Sequence, residues 1–263
     1  MSTAAAGPGM LEGALRRDRV VVASGLAIVT ALAWGYIVHM AGMMSPHAAM
    51  AMPMSGASEP PALRWLVPMW IVMMVAMMLP SAAPTILLFS SVARRRRTAG
   101  VPTASAAVFA LGYLLVWAVY ATIAAVAQWR LHEASLLSPA MVSASPWLGG
   151  GLLIAAGIYQ WMPVKDTCLM HCRSPLGFVS SEWREGTMGA LIMGVRHGTF
   201  CVGCCALLMA LLFVAGVMNL LWVAAIAIFV LAEKLGPGGR TLGRATGLLM
   251  IAWGVWVIAA GRS

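Results

Sequence analysis

Charge is scarce in this sequence. Only 10% of its 263 residues are Asp, Glu, Lys or Arg, against 61% hydrophobic residues and a mean hydropathy of +0.88. A water-soluble chain of this length has too little interior to hide that much apolar surface, so a soluble globular fold is excluded. The apolar runs are unbroken rather than alternating, which argues against a β-barrel. A phosphate-binding loop and an Asp-Lys-Thr-Gly motif are both missing, which argues against an ATP-driven pump. The second Cys/His pair of a zinc finger is also missing. No repeat or second domain stands out.

What is present is a set of long apolar stretches. Only helices and closed barrels satisfy the backbone in lipid, so the stretches read as helices. The expected fold is an all-α, polytopic transmembrane bundle of about seven spans. They run near Val20–Met40, Leu66–Val92, Ser105–Gln128, Pro146–Trp161, Met188–Val217, Asn219–Leu235 and Ala245–Ala260. The fourth and sixth are short. Residues 1–19 are expected to be a disordered cytoplasmic N-terminus, and 20–263 a single membrane domain. That domain carries an external Met/His-rich loop at 40–63 and a cytoplasmic Cys/His loop at 163–186.

The net charge of +9 is largely a topology signal. Fourteen of the 17 Lys and Arg fall on one side if the N-terminus is cytoplasmic. Only Arg64, Arg130 and Arg262 fall outside that pattern. Nucleic acid is therefore not expected as a partner; the bilayer is. The first span has an apolar core too long for a secretory signal and no close cleavage site, so it reads as a retained anchor in a bacterial inner membrane.

The chemistry lies in sulfur and imidazole. Eleven of the 21 methionines fall between Met40 and Met78. The external loop holds His39, Met43, Met44 and His47. Thioethers are soft ligands that suit Cu(I) and cannot form disulfides in an oxidising compartment. The loop reads as a capture segment; the alternative is an unstructured linker. In the second span, Met73 and Met77 share a helix face and could relay an ion inward, or could simply fill a core. Pro80 and Pro84 follow, each freeing a carbonyl one turn earlier.

All five cysteines lie between Cys168 and Cys205. With His197 at 0°, Met193, Cys204, Cys201 and Cys205 fall within about 120° of one face of the fifth span. His197, Cys201, Cys204 and Cys205 therefore form the expected buried metal site; the alternative is small-residue packing. Cys168, His171 and Cys172 in the next loop upstream could hold a two- or three-coordinate soft ion. Cu(I) is the expected ion, though other soft or transition metals fit the same donors. Glu233-Lys234 ends the sixth span; it reads as a charge pair snorkelling to water, the alternative being a pair that faces the bundle.

At these residues the chain resembles a bacterial family of metal-binding integral membrane proteins of unassigned function. The resemblance rests on Ala76-Met-Met-Leu-Pro80-Ser, Cys168-x-x-x-Cys172-Arg-Ser-Pro-Leu-Gly177, Gly194-x-x-His197-Gly-x-x-Cys201-x-Gly-Cys204-Cys205, Gly216-Val-Met-Asn219 and Glu233-Lys234. It covers roughly Arg64 to Lys234, so the Met/His loop lies outside it. It implies metal binding without naming the metal or a direction of movement. An aromatic residue often follows the Cys-Cys pair in that family; here it is Ala206.

The expected function is binding and transfer of Cu(I), as transporter or copper chaperone, without catalysis. A cytosolic or periplasmic copper carrier or a cuproenzyme would be the partner. The alternative is a membrane thiol–disulfide oxidoreductase using the same thiols. A haem or quinone protein using His171 and His197 is a weaker third reading.

Overall fold

The computed structural model describes residues 8–43, 62–137, 143 and 145–261, with side chains from residue 19 onward. The described residues form helices and no strand, apart from one isolated bridge between Leu137 and Ser143. The helices are α1 (Pro8–Met43), α2 (Leu63–Thr98), α3 (Ala106–Glu133), α4 (Pro146–Tyr159), α5 (Pro163–Arg173), α6 (Pro175–Ser181), α7 (Gly186–Ala210), α8 (Leu212–Ala215), α9 (Leu220–Leu235) and α10 (Gly239–Ala260).

Five segments are long and apolar enough to cross a membrane: Arg19–Met43, Leu63–Thr98, Ala106–Glu133, Gly186–Ala215 and Gly239–Ala260. The other two expected spans are α4, with 14 residues, and α9, with 16. At 1.5 Å per residue these reach about 21 and 24 Å, short of a hydrocarbon core of about 30 Å. The outer faces remain apolar, as Val119 and Ile123 on α3, Ile228 on α9 and Leu249 and Trp256 on α10 illustrate; each is more than 60% exposed.

Helix α2 is the central post. It packs on α1 and α3, and also touches α9. Pro80 removes the amide that would bond the Ala76 carbonyl. The Trp34 indole of α1 donates to that carbonyl instead, at 3.2 Å. The proline thus opens a backbone acceptor, and a neighbouring helix closes it.

Helices α3 and α7 meet at glycine. A Cβ at Gly194 would run into the backbone carbonyl of Phe109, so no larger residue allows this approach. The close crossing carries Tyr113 of α3 to the face of α7 that holds the cysteines.

The segment expected as a cytoplasmic loop at 163–186 folds into α5 and α6. Helix α5 packs against α7 and is clamped to the α9–α10 corner by its charges. Lys165 Nζ donates to both oxygens of Glu233, at 2.8 and 2.9 Å, and to Gln160 Oε1. Asp166 pairs with Arg240 at 3.3 Å and Arg244 at 3.1 Å. Arg173 donates to the carbonyls of Glu233 and Gly236. Asn219 caps the start of α9, its side chain accepting the Trp222 amide at 3.2 Å.

Candidate metal centre

One face of α7 supplies most of the donors. Met193, His197, Cys201, Cys204 and Cys205 are all buried, as their shared 120° sector predicts. The Cys204 and Cys205 thiols donate to the Cys201 carbonyl, at 3.1 and 2.9 Å, which turns both sulfurs back along the helix.

Two other helices add sulfur. Cys172 of α5 places its Sγ 4.0 Å from Cys204 Sγ. Met78 of α2 places its Sδ 3.8 Å from Cys205 Sγ. Cys168 lies one turn before Cys172, its Sγ pressed against Gly203. A Cβ at Gly203 would come within 2.7 Å of that sulfur, so glycine makes room for α5 to lie on α7. The sulfurs run from Cys168 near the edge, through Cys172 and Cys204, to Cys205 and Met78 in the interior. Burial holds the Cys168 thiol above its ordinary value, and the nearby Cys204 adds to the effect.

A cation and a phenol complete the cluster. Lys234 Nζ donates to Cys201 Sγ at 2.8 Å and to Ser81 Oγ at 3.1 Å. Tyr113 Oη lies 3.1 Å from Cys201 Sγ and donates to the Met78 carbonyl at 3.0 Å. Lys234 is only 4% exposed. A buried ammonium needs an anionic or polar partner, and a thiolate at Cys201 meets that need.

His197 sits in an aromatic cage, with ring centroids 5.0 Å from Phe178, 5.7 Å from Tyr113 and 6.0 Å from Phe109. Its Nδ1 is buried and has no hydrogen-bond partner. The five cysteines are free thiols. Among the described residues, no three His, Cys, Asp or Glu side chains form a group that could hold an ion. The donors that do converge are soft, as Cu(I) requires, and a buried imidazole nitrogen is left unpaired beside them.

Other expected donors stand apart. Met73 is buried in the core, while Met77 lines a recess with Trp34, Ala224 and Ile228. His171 stacks on Phe200 at 4.1 Å, and its Nδ1 lies 2.9 Å from the Thr167 carbonyl. The Met193 sulfur accepts the Arg184 amide at 3.3 Å. His39 and Met43 lie exposed at the end of α1; Met44 and His47 fall outside the described residues. The Ala206 carbonyl accepts the Tyr120 hydroxyl at 2.8 Å.

Sequence reasoning missed Met78, Tyr113 and Lys234 as parts of the site. Met78 had a signal, since it lies within Ala76-Met-Met-Leu-Pro80. Lys234 had a weaker one, a charge at the end of an apolar run. Tyr113 had none.

A family model described as PpoB2, copper chaperone, matches residues 67–257. The matched region contains every sulfur of the cluster together with Tyr113, His197 and Lys234, and it leaves out the Met/His loop. No curated protein and no solved structure matches the chain.

Proposed function

This chain belongs to the PpoB2 copper chaperone family, and from that premise we propose that it holds Cu(I) within a membrane helix bundle and hands it to a protein acceptor. The observation that carries the reading is the convergence of α2, α5 and α7. They bring Met78, Cys172, Cys201, Cys204 and Cys205 to one buried place beside Lys234.

The chemistry follows from the donors. Thiolate and thioether sulfurs favour Cu(I) over hard divalent ions. Cys201, Cys204 and Cys205 supply the thiolates; the Cys204 and Cys205 sulfurs, bonded to the Cys201 carbonyl in this structure, swing from it to close on the ion, with Cys172 and Met78 closing the pocket from the neighbouring helices and His197 one turn away. Cys168, nearer the edge, receives or releases it. Exchange between similar sulfur ligands needs little driving force, so transfer needs no nucleotide. The acceptor is a copper carrier or a cuproenzyme. His39, Met43, Met44 and His47 gather copper outside, in a protein of the bacterial inner membrane whose N-terminus is cytoplasmic.

The test is metal analysis of protein produced with copper, zinc and iron all available. The wild type is expected to copurify with copper showing a Cu–S X-ray absorption signature. Cys201→Ser with Cys205→Ser should insert normally and lose the copper. Retention of a full complement by the double variant would sink the ligand assignment. Orientation is read separately, with single cysteines at Ser55 and Ser180 in a cysteine-free background. An impermeant maleimide should label Ser55→Cys in intact cells and spare Ser180→Cys; the reverse pattern would invert the topology.

A further inference from the structure

Three arginines from three helices line one cavity of about 600 Å³: Arg19 of α1, Arg95 of α2 and Arg173 of α5. Among the described side chains, no carboxylate lines it. Other arginines of the bundle do meet a carboxylate. Arg96 pairs with Glu185 at 3.8 Å, Arg196 pairs with Glu182, and Arg240 and Arg244 share Asp166. Arg173 is held in place by the Glu233 and Gly236 carbonyls. Among the described residues, no carboxylate lies within ion-pair distance of Arg19 or Arg95. Two arginines without a carboxylate partner among the described side chains, and one fixed by carbonyls, therefore line a common space together with Ser174.

The cavity also has an apolar wall, including Leu87, Leu88 and Leu176. Leu176 is 72% exposed. Directly after Arg19 come Val20 and Val21, both more than half exposed. The arginines thus stand where the charged end of the bundle gives way to its apolar flank, the level at which lipid headgroups lie.

From this arrangement we propose that the cavity binds the phosphate of an anionic phospholipid headgroup, with the acyl chains against Leu87, Leu88 and Leu176. The guanidinium fork matches phosphate oxygens in pairs, and convergent basic groups between membrane helices suit anionic headgroups. A soluble phosphate would satisfy the arginines but leave the apolar wall uncovered, which favours the lipid. The inference does not depend on copper binding.

The full chain, purified in nonionic detergent, is titrated with phosphatidylglycerol, with phosphatidylcholine, and with inorganic phosphate. Bound lipid is read by native mass spectrometry and thermal stability by unfolding midpoint. Phosphatidylglycerol should bind and raise the midpoint, while phosphatidylcholine and millimolar phosphate should not. Arg19→Gln with Arg95→Gln should weaken phosphatidylglycerol binding about tenfold or more. Arg95→Gln alone should weaken it less, and Arg130→Gln, whose cation pairs with Glu133 elsewhere, should leave it unchanged. Undiminished phosphatidylglycerol binding in the double variant would overturn the site. An equal shift from inorganic phosphate would overturn its assignment to lipid.

Discussion

Lys234 Nζ lies 2.8 Å from Cys201 Sγ, across 33 residues of chain and in a pocket closed to solvent. The contact gives a buried cysteine cluster its own cation. Two thiolates around one Cu(I) carry a net negative charge, and a fixed ammonium offsets it where water cannot. Lys234→Met is expected to lower Cu(I) affinity by roughly tenfold or more, since removing one member of a buried charge pair strands the other. Lys234→Arg should recover part of the loss. Competition against a Cu(I) chelator measures both; equal affinity in Lys234→Met and wild type would remove Lys234 from the site.

Met78 offers a cleaner probe of the ligand set. Its sulfur is 3.8 Å from Cys205 Sγ, and the side chain is fully buried. Met78→Leu conserves volume and should cost less than about 1.5 kcal/mol in stability. The same change removes one soft donor, so Cu(I) affinity should fall by roughly tenfold, about 1.4 kcal/mol. Met77→Leu, one residue away but facing α1 and α9, should leave affinity unchanged. If the two variants behave alike, Met78 is packing and no ligand.

The contrast between these methionines shows where sequence reading reached and where it stopped. Hydropathy marked the helices because lipid imposes a requirement on every residue of a span. The α7 cysteines were legible because one helix fixes their relative angles, whatever surrounds it. Met78 rather than Met77 was not legible, because the choice depends on which side of α2 meets α7. Helices α5 and α6 were hidden for another reason. Lys165, Asp166 and Arg173 lie in the segment read as a loop, yet each finds its partner on α9, on α10 or at the turn between them. Snorkelling was favoured for Lys234 over a place facing the bundle for the same lack of a visible partner, when its partner is a cysteine on another helix.

Cys168 should report on its own surroundings through pH. Its thiol is held above its ordinary value of 9.0, first by burial and then by the neighbouring Cys204. Only the thiolate alkylates, so a raised value means less reactive form at neutral pH. In metal-free protein, Cys168 should react with a maleimide more slowly than a free thiol at pH 7. Its rate should keep climbing above pH 9, where a free thiol has begun to level off. The measurement uses a variant retaining only Cys168; a rate that levels off below pH 9 would contradict the burial.

The Lys165–Glu233 pair helps to hold α5 on the bundle, and with it Cys172 beside Cys204. Both side chains are about 2% exposed, and the ammonium meets both carboxylate oxygens. Lys165→Met leaves Glu233 buried without its cation, which should destabilise the protein by roughly 3–5 kcal/mol. Adding Glu233→Gln removes the stranded charge and should return much of that loss, so the two changes are strongly non-additive. Equilibrium unfolding of the four proteins in the cycle measures the coupling. A second readout separates stability from site geometry. If α5 lifts away, the Cys172 thiol becomes open to alkylation in Lys165→Met under conditions where the rest of the bundle remains folded. A coupling near zero, with Cys172 still protected, would mean that α5 is held by its contact with α7 and by Asp166 and Arg173 rather than by this pair.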